Sequence, residues 1–190
     1  MTDELKTRVV LKNVRLSYVA LPPGRPRSQD DGPPKWQATI LLPKDDTEQI
    51  AKVNQAIANA KKKDEAKIKA GAGSMRNPLL DGDAKEEGEF KYKGNENRGH
   101  YLLRANTSAA EDKSPPEVIK KGGGEVTLGD VYSGVYADIS VNFYGYGRKD
   151  GKGVAPGLGN VKVLGTGERL AGGPRATDEF DEDDDDDLLK

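Results

Sequence analysis

Along residues 131–147, VYSGVYADISVNFYGYG, apolar and polar side chains alternate with a period of two. Val135, Ala137, Ile139, Val141 and Phe143 form one set, and Tyr136, Asp138, Ser140, Asn142, Tyr144 and Tyr146 the other. Successive residues of a strand point to opposite faces, so the segment predicts a strand with one face in a core and three tyrosines on the other. KWQATILLP (35–43) repeats the pattern, with Trp36, Ala38, Ile40 and Leu42 apolar and Lys35, Gln37 and Thr39 polar. Trp36 and Phe143 fall on the apolar faces and are assigned to packing. TRVVLKNVRLSYV (7–19) is β-rich, but its alternation breaks, which predicts a curved strand with a bulge near Asn13.

After Pro43 the period changes. Asp45 followed three residues later by Glu48 has the form of a helix start. Ile50, Val53 and Ile57 then recur at helical spacing among alanines and lysines, predicting one amphipathic helix out to Gly71. NPLLDGD (77–83) reads as a turn, EFKYKGNENRG as a short basic and aromatic strand followed by a loop, and HYLLRAN (100–106) as a further short strand. ALPPGRPRSQDDGPP predicts a long mobile loop and EDKSPPEVIKKGGGE a connection, since both are rich in proline, glycine and charge. Asp150-Gly151 is a hairpin turn signal, and GVAPGLGNVKVL returns as a strand interrupted by glycines. Five or six short strands, one helix and long loops predict a mainly β fold. A five-stranded OB-like barrel with one inserted amphipathic helix fits that element count best.

Charge divides the chain. DEFDEDDDDDLLK (178–190) holds nine acids and one lysine, net −8, in a chain of net −2, which leaves residues 1–177 at +6. The reading is one basic domain over 1–177 and a flexible acidic tail over 178–190. Tail residues Asp178, Glu179, Asp181, Glu182, Asp183, Asp184, Asp185, Asp186 and Asp187 form a polyanion. Tethered to a cationic groove it would compete for that groove, or recruit basic partner proteins once nucleic acid fills it.

Catalysis finds little footing in these residues. With no cysteine there is no disulfide, thiolate zinc site or cysteine nucleophile, and with His100 the only histidine there is no histidine cluster for a metal. The glycine-rich pieces miss the phosphate-loop pattern, and Asp81 and Asp83 read as turn residues. Asp81, Asp83 and Asp138 are the weak candidates that a metal-dependent nuclease would have to use. No cofactor is expected. The N-terminus has no leader pattern and no apolar run is long enough to span a bilayer, so the expectation is a soluble intracellular protein without membrane partners.

Nucleic acid is the stronger reading, because cations and exposed tyrosines fall in the same segments. Single strands are held by a cationic groove along the phosphates and by aromatic rings under the bases. Lys91, Lys93, Arg104, Arg148 and Lys149 are the candidates for the phosphates. Tyr92, Tyr101, Tyr136, Tyr144 and Tyr146 are the candidates for stacking. The alternative is a β-sandwich structural or scaffolding protein of a virion, which would share the strands and ignore oligonucleotides.

The order of RLSYV, ILLPKDD, PLLDGD, VYSGVYADISVNFYGYG, GVAPGLGNVKVLGTGERLAGG and the acidic end resembles phage-encoded single-stranded DNA-binding proteins once described as a domain of unknown function. The resemblance covers roughly Lys12 to Phe180. It implies an OB fold, a role in phage DNA replication or recombination in the cytoplasm of the bacterial host, single-stranded DNA as partner, and a homodimer. In overall plan the chain is also similar to single-strand binders whose acidic tails recruit replication proteins.

Overall fold

The computed structural model describes residues 5–28, 32–165 and 167–170; the acidic tail lies outside the described residues. Ten strands are present there: β1 (Arg8–Ala20), β2 (Lys35–Pro43), β3 (Met75–Arg76), β4 (Leu79–Asp81), β5 (Lys85–Glu86), β6 (Glu89–Phe90), β7 (His100–Ser108), β8 (Val118–Lys120), β9 (Tyr136–Arg148) and β10 (Gly151–Gly165). Two helices, α1 (Thr47–Lys63) and α2 (Glu65–Lys69), lie between β2 and β3.

The five long strands close on themselves. β1 pairs with β2 and β9, β2 with β7, and β9 with β10, all antiparallel. The ring shuts where β10 meets β7 in parallel at Gly157 and Asn106. The order β1-β2-β7-β10-β9 is the OB barrel expected from the sequence, and its closure excludes the two-sheet sandwich. Alternate residues fill it: Leu11, Val14 and Leu16 from β1, Ala38, Ile40 and Leu42 from β2, Leu103 and Ala105 from β7, Ala137, Ile139, Val141 and Phe143 from β9, and Val154, Leu158, Val161 and Val163 from β10. Trp36 packs against this cluster, as its register implied. The bulge in β1 also falls where the alternation broke: pairing with β9 shifts between Leu11 and Val14, and Asn13 has φ of 50°.

Several expectations are corrected. The helix does not run unbroken to Gly71. It starts one residue later than the sequence signal, with Asp46 accepting the Gln49 amide hydrogen, and breaks at Asp64. Val53, Ala56, Ile57 and Ala60 carry its buried face into the barrel core. NPLLDGD contains a strand, β4, which pairs with β7 before the turn. The proline- and glycine-rich connection holds β8, which pairs in parallel with β10 because Val118 and Ile119 find an open edge there. EFKYK yields only the two residues of β6, paired to β5. The β9–β10 turn is Lys149-Asp150, with Gly151 already paired to Arg148.

At the break, the Asp64 side chain ties the helices to the barrel. The Asp64 carboxylate, 12% exposed, accepts the Gly145 amide hydrogen of β9 at 2.8 Å and pairs with Lys67 at 2.7 Å. Lys67 and the Gly145 amide, against the opposing effect of burial, hold its pKa below the ordinary carboxylate range. A carboxyl whose folded pKa is depressed contributes stability above its unfolded value of about 3.9 and loses it as pH falls through the folded value. Asp64→Asn keeps the shape and removes the charge. It is expected to lower stability by about 1–2 kcal/mol at pH 7, with the gap from wild type in urea unfolding closing toward about pH 2. A gap independent of pH would contradict the assignment.

Candidate nucleic-acid interface

The outer face of β2 and β7 carries a concavity. On β7, Leu103 and Ala105 point inward, so Arg104 and Asn106 point out, opposite Thr39 and Gln37 of β2. These residues, with Tyr18, Lys91, Tyr92, Lys93 and Asn97, line a groove of about 440 Å³. In an OB fold this second-and-third-strand face is where oligonucleotides bind.

One wall of the groove comes from the segment between β6 and β7, and Arg98 fixes it. Its guanidinium donates to the carbonyls of Gly82, Tyr92 and Gly94 and stacks 3.7 Å from the Phe90 ring centroid. Asn97, 3% exposed, donates to the Lys93 carbonyl at 2.5 Å. Gly94, at φ of 102°, takes a backbone conformation that side chains disfavour. The result is that the Tyr92 ring is held 5.2 Å from the Arg104 guanidinium, with Lys91 and Lys93 on either side of it. Three cations line the groove, and no carboxylate does so among the described residues. Lys91 lies 3.5 Å from Glu86, with both side chains exposed, a contact that a phosphate can displace at little cost.

The structure therefore brings Lys91, Tyr92, Lys93 and Arg104 together. Tyr144 lies outside the lining of this groove, on the neighbouring stretch of the outer face. It is 41% exposed, and its ring lies against Gly157, the residue paired to Asn106. Tyr146, with Arg148 5.8 Å from its ring and Lys149 following, lies at the hairpin end of β9. Tyr136 is elsewhere. It stands eight residues along β9 from Tyr144, about 26 Å at strand rise, 5.9 Å from the Arg15 guanidinium. Tyr101 faces inward, partly buried against the core cluster, with the Lys44 ammonium 5.3 Å from its ring.

The sequence reading missed Tyr18, Gln37, Thr39 and Asn106. Tyr18, 55% exposed at φ of 49°, lies in a second irregularity of β1 between Ser17 and Ala20. The signal available for it was the same broken alternation that marked Asn13. The carboxylates nominated for a metal are used otherwise. Asp81 and Asp83 both bind Lys44, at 2.5 and 2.8 Å, and Asp83 accepts the Gly99 amide hydrogen. Asp138 holds the β1 bulge through Lys12 and the Asn13 amide at 2.9 and 3.0 Å. His100 Nδ1 meets the Arg98 carbonyl at 2.7 Å. No described helix is long and apolar enough to cross a membrane.

Comparison with known proteins agrees with this fold. The fold is similar to the single-stranded DNA-binding protein from bacteriophage Enc34 in complex with ssDNA. That match has 23% identity and a TM-score of 0.68, covering 87% of this chain and 90% of that one. A C-terminal truncation of the same phage protein matches at 23% identity and a TM-score of 0.65, over 86% and 88% of the two chains. In sequence the chain is 34% identical over 186 residues to putative protein p50 of Acyrthosiphon pisum secondary endosymbiont phage 1, covering 92% of this chain and 93% of the relative. Residues 7–189 match the family model of the Enterobacter phage Enc34 ssDNA-binding protein, and the chain belongs to that family.

Proposed function

We propose that this protein binds single-stranded DNA with little sequence preference along the outer face of β2 and β7. The observation that carries the reading is the Tyr92 ring fixed beside Arg104 above two strands, flanked by Lys91 and Lys93. A ring of that kind stacks on any base, and three cations meet the phosphates on either side of it. Contacts to backbone and base faces carry no sequence code, so affinity follows salt rather than sequence. Membership of a family of single-stranded DNA-binding proteins supports a binder rather than an enzyme. Phage DNA replication or recombination in the host cytoplasm, by a homodimer, is the setting we propose for it.

In this reading the acidic tail is a tethered competitor for the groove and, when displaced, a docking strip for replication proteins. Its net −8 against a body of +6 supplies the charge for both roles. Ending the chain at Thr177 is expected to tighten binding of labelled oligo-dT several-fold at low salt. The gain should shrink toward about 0.3 M salt as the tail's attraction is screened. Equal or weaker binding after truncation, at every salt, would remove the competition from the account.

A further inference from the structure

A second concavity, about 920 Å³, lies between the first half of β1 and α1. Lys6, Arg8, Lys52 and Lys62 line it, with exposed Val10 among them. Lys52 pairs with Glu48 at 2.6 Å. Lys6, Arg8 and Lys62 have no carboxylate within ion-pair distance among the described residues. Asn59 donates to the Lys6 carbonyl at 2.8 Å, which fixes the start of β1 against the helix. Arg8 is steered across β9, where its guanidinium donates to the Ser140 hydroxyl at 3.1 Å.

The barrel register links this groove to the first one. Gln37 is paired with Asn106, Asn106 with Gly157, Gly157 with Asn142, and Asn142 with Arg8. The line crosses four strand spacings, roughly 19 Å at the backbone. It runs through two amides and one glycine, past the exposed Tyr144 ring. Among the described residues no acidic side chain is paired into it. We propose that single-stranded DNA leaving the Tyr92–Arg104 groove follows this line over Gly157 and Tyr144 and enters the groove between β1 and α1. Lys6, Arg8, Lys52 and Lys62 would there neutralise its phosphates. This extension rests on the single-stranded DNA reading of the first groove.

Oligo length separates the two claims, since an OB face takes about 4–16 nucleotides. The full-length protein and its Lys6→Ala/Lys52→Ala/Lys62→Ala variant, all exposed positions, are titrated with oligo-dT of about 8 and about 30 nucleotides. The variant is expected to bind the short probe as wild type does and the long probe about tenfold more weakly. For the long probe the slope of log K against log salt should become shallower by about 2, three lysines at roughly 0.7 each. Unchanged binding of both probes overturns the path. Equal weakening at both lengths also overturns it, and would mark a groove that holds the acidic tail away from the DNA. Failure of wild type to bind the short probe is a failure of the first groove instead.

Discussion

Replacing Tyr92 by alanine is expected to weaken oligo-dT binding by about 1–3 kcal/mol, the range measured for one stacked base. Tyr92→Phe should retain most of the affinity, because the ring rather than the hydroxyl meets the base. The reason for choosing Tyr92 among seven tyrosines is preorganisation. Arg98 bonds the Tyr92 carbonyl directly, and Asn97 bonds the next one, so the backbone that carries the ring is already fixed before DNA arrives. Arg104→Ala removes both a cation and the partner 5.2 Å from that ring. The double variant should therefore lose less than the sum of the two single losses, since each residue positions the other. Additive losses would mean that the pair does not act as a unit. Binding of Tyr92→Ala at wild-type strength, with the fold intact, would take the ring out of the site.

Gly147→Val is expected to be the most damaging change to the fold, costing about 3 kcal/mol or more and lowering soluble yield. The tyrosines of FYGYG lie on the outer face, so Gly145 and Gly147 continue the inner one. There α2 packs directly on the β9 backbone. A Cβ at Gly147 would overlap the Lys67 carbonyl oxygen and the Gly71 amide, both backbone atoms that cannot step aside alone. At Gly145 it would lie 2.6 Å from the Asp64 Cβ and 2.8 Å from the Ile68 Cδ1. Overpacking of this sort commonly costs about 1–3 kcal/mol, and more where backbone must move. Tyr146→Ala, one residue away on the opposite face, is the control and should leave thermal stability nearly unchanged. Similar melting temperatures for the two variants would contradict the packing of α2 on this strand.

Both faces of β9 could be read from the chain because its period of two is unbroken over twelve residues, and only one pairing register keeps Phe143 inside. The bulge at Asn13 was legible for the opposite reason, as a break in a pattern. HYLLRAN misled on Tyr101 because Leu102 and Leu103 are adjacent and both buried. Leu103 belongs to the core, whereas Leu102 is paired to Leu41 on the other side of β7. With both leucines buried, alternation could not say which way Tyr101 points. Lys91, Tyr92, Lys93 and Arg104 were nominated from local composition alone. Their assembly depends on Arg98 bonding backbone carbonyls, which no side-chain pattern records. Tyr18 escaped because an irregular strand does not announce which residues it turns outward.

Ultraviolet cross-linking of oligo-dT to the intact protein, followed by peptide mapping, tests the central claim most directly, because it reports where the bases lie. The account predicts cross-links on the peptides carrying Tyr92 and Tyr144, lost at high salt. Cross-links confined to the Tyr101 or Tyr136 peptides, or none at a concentration where oligo-dT is bound, would contradict it.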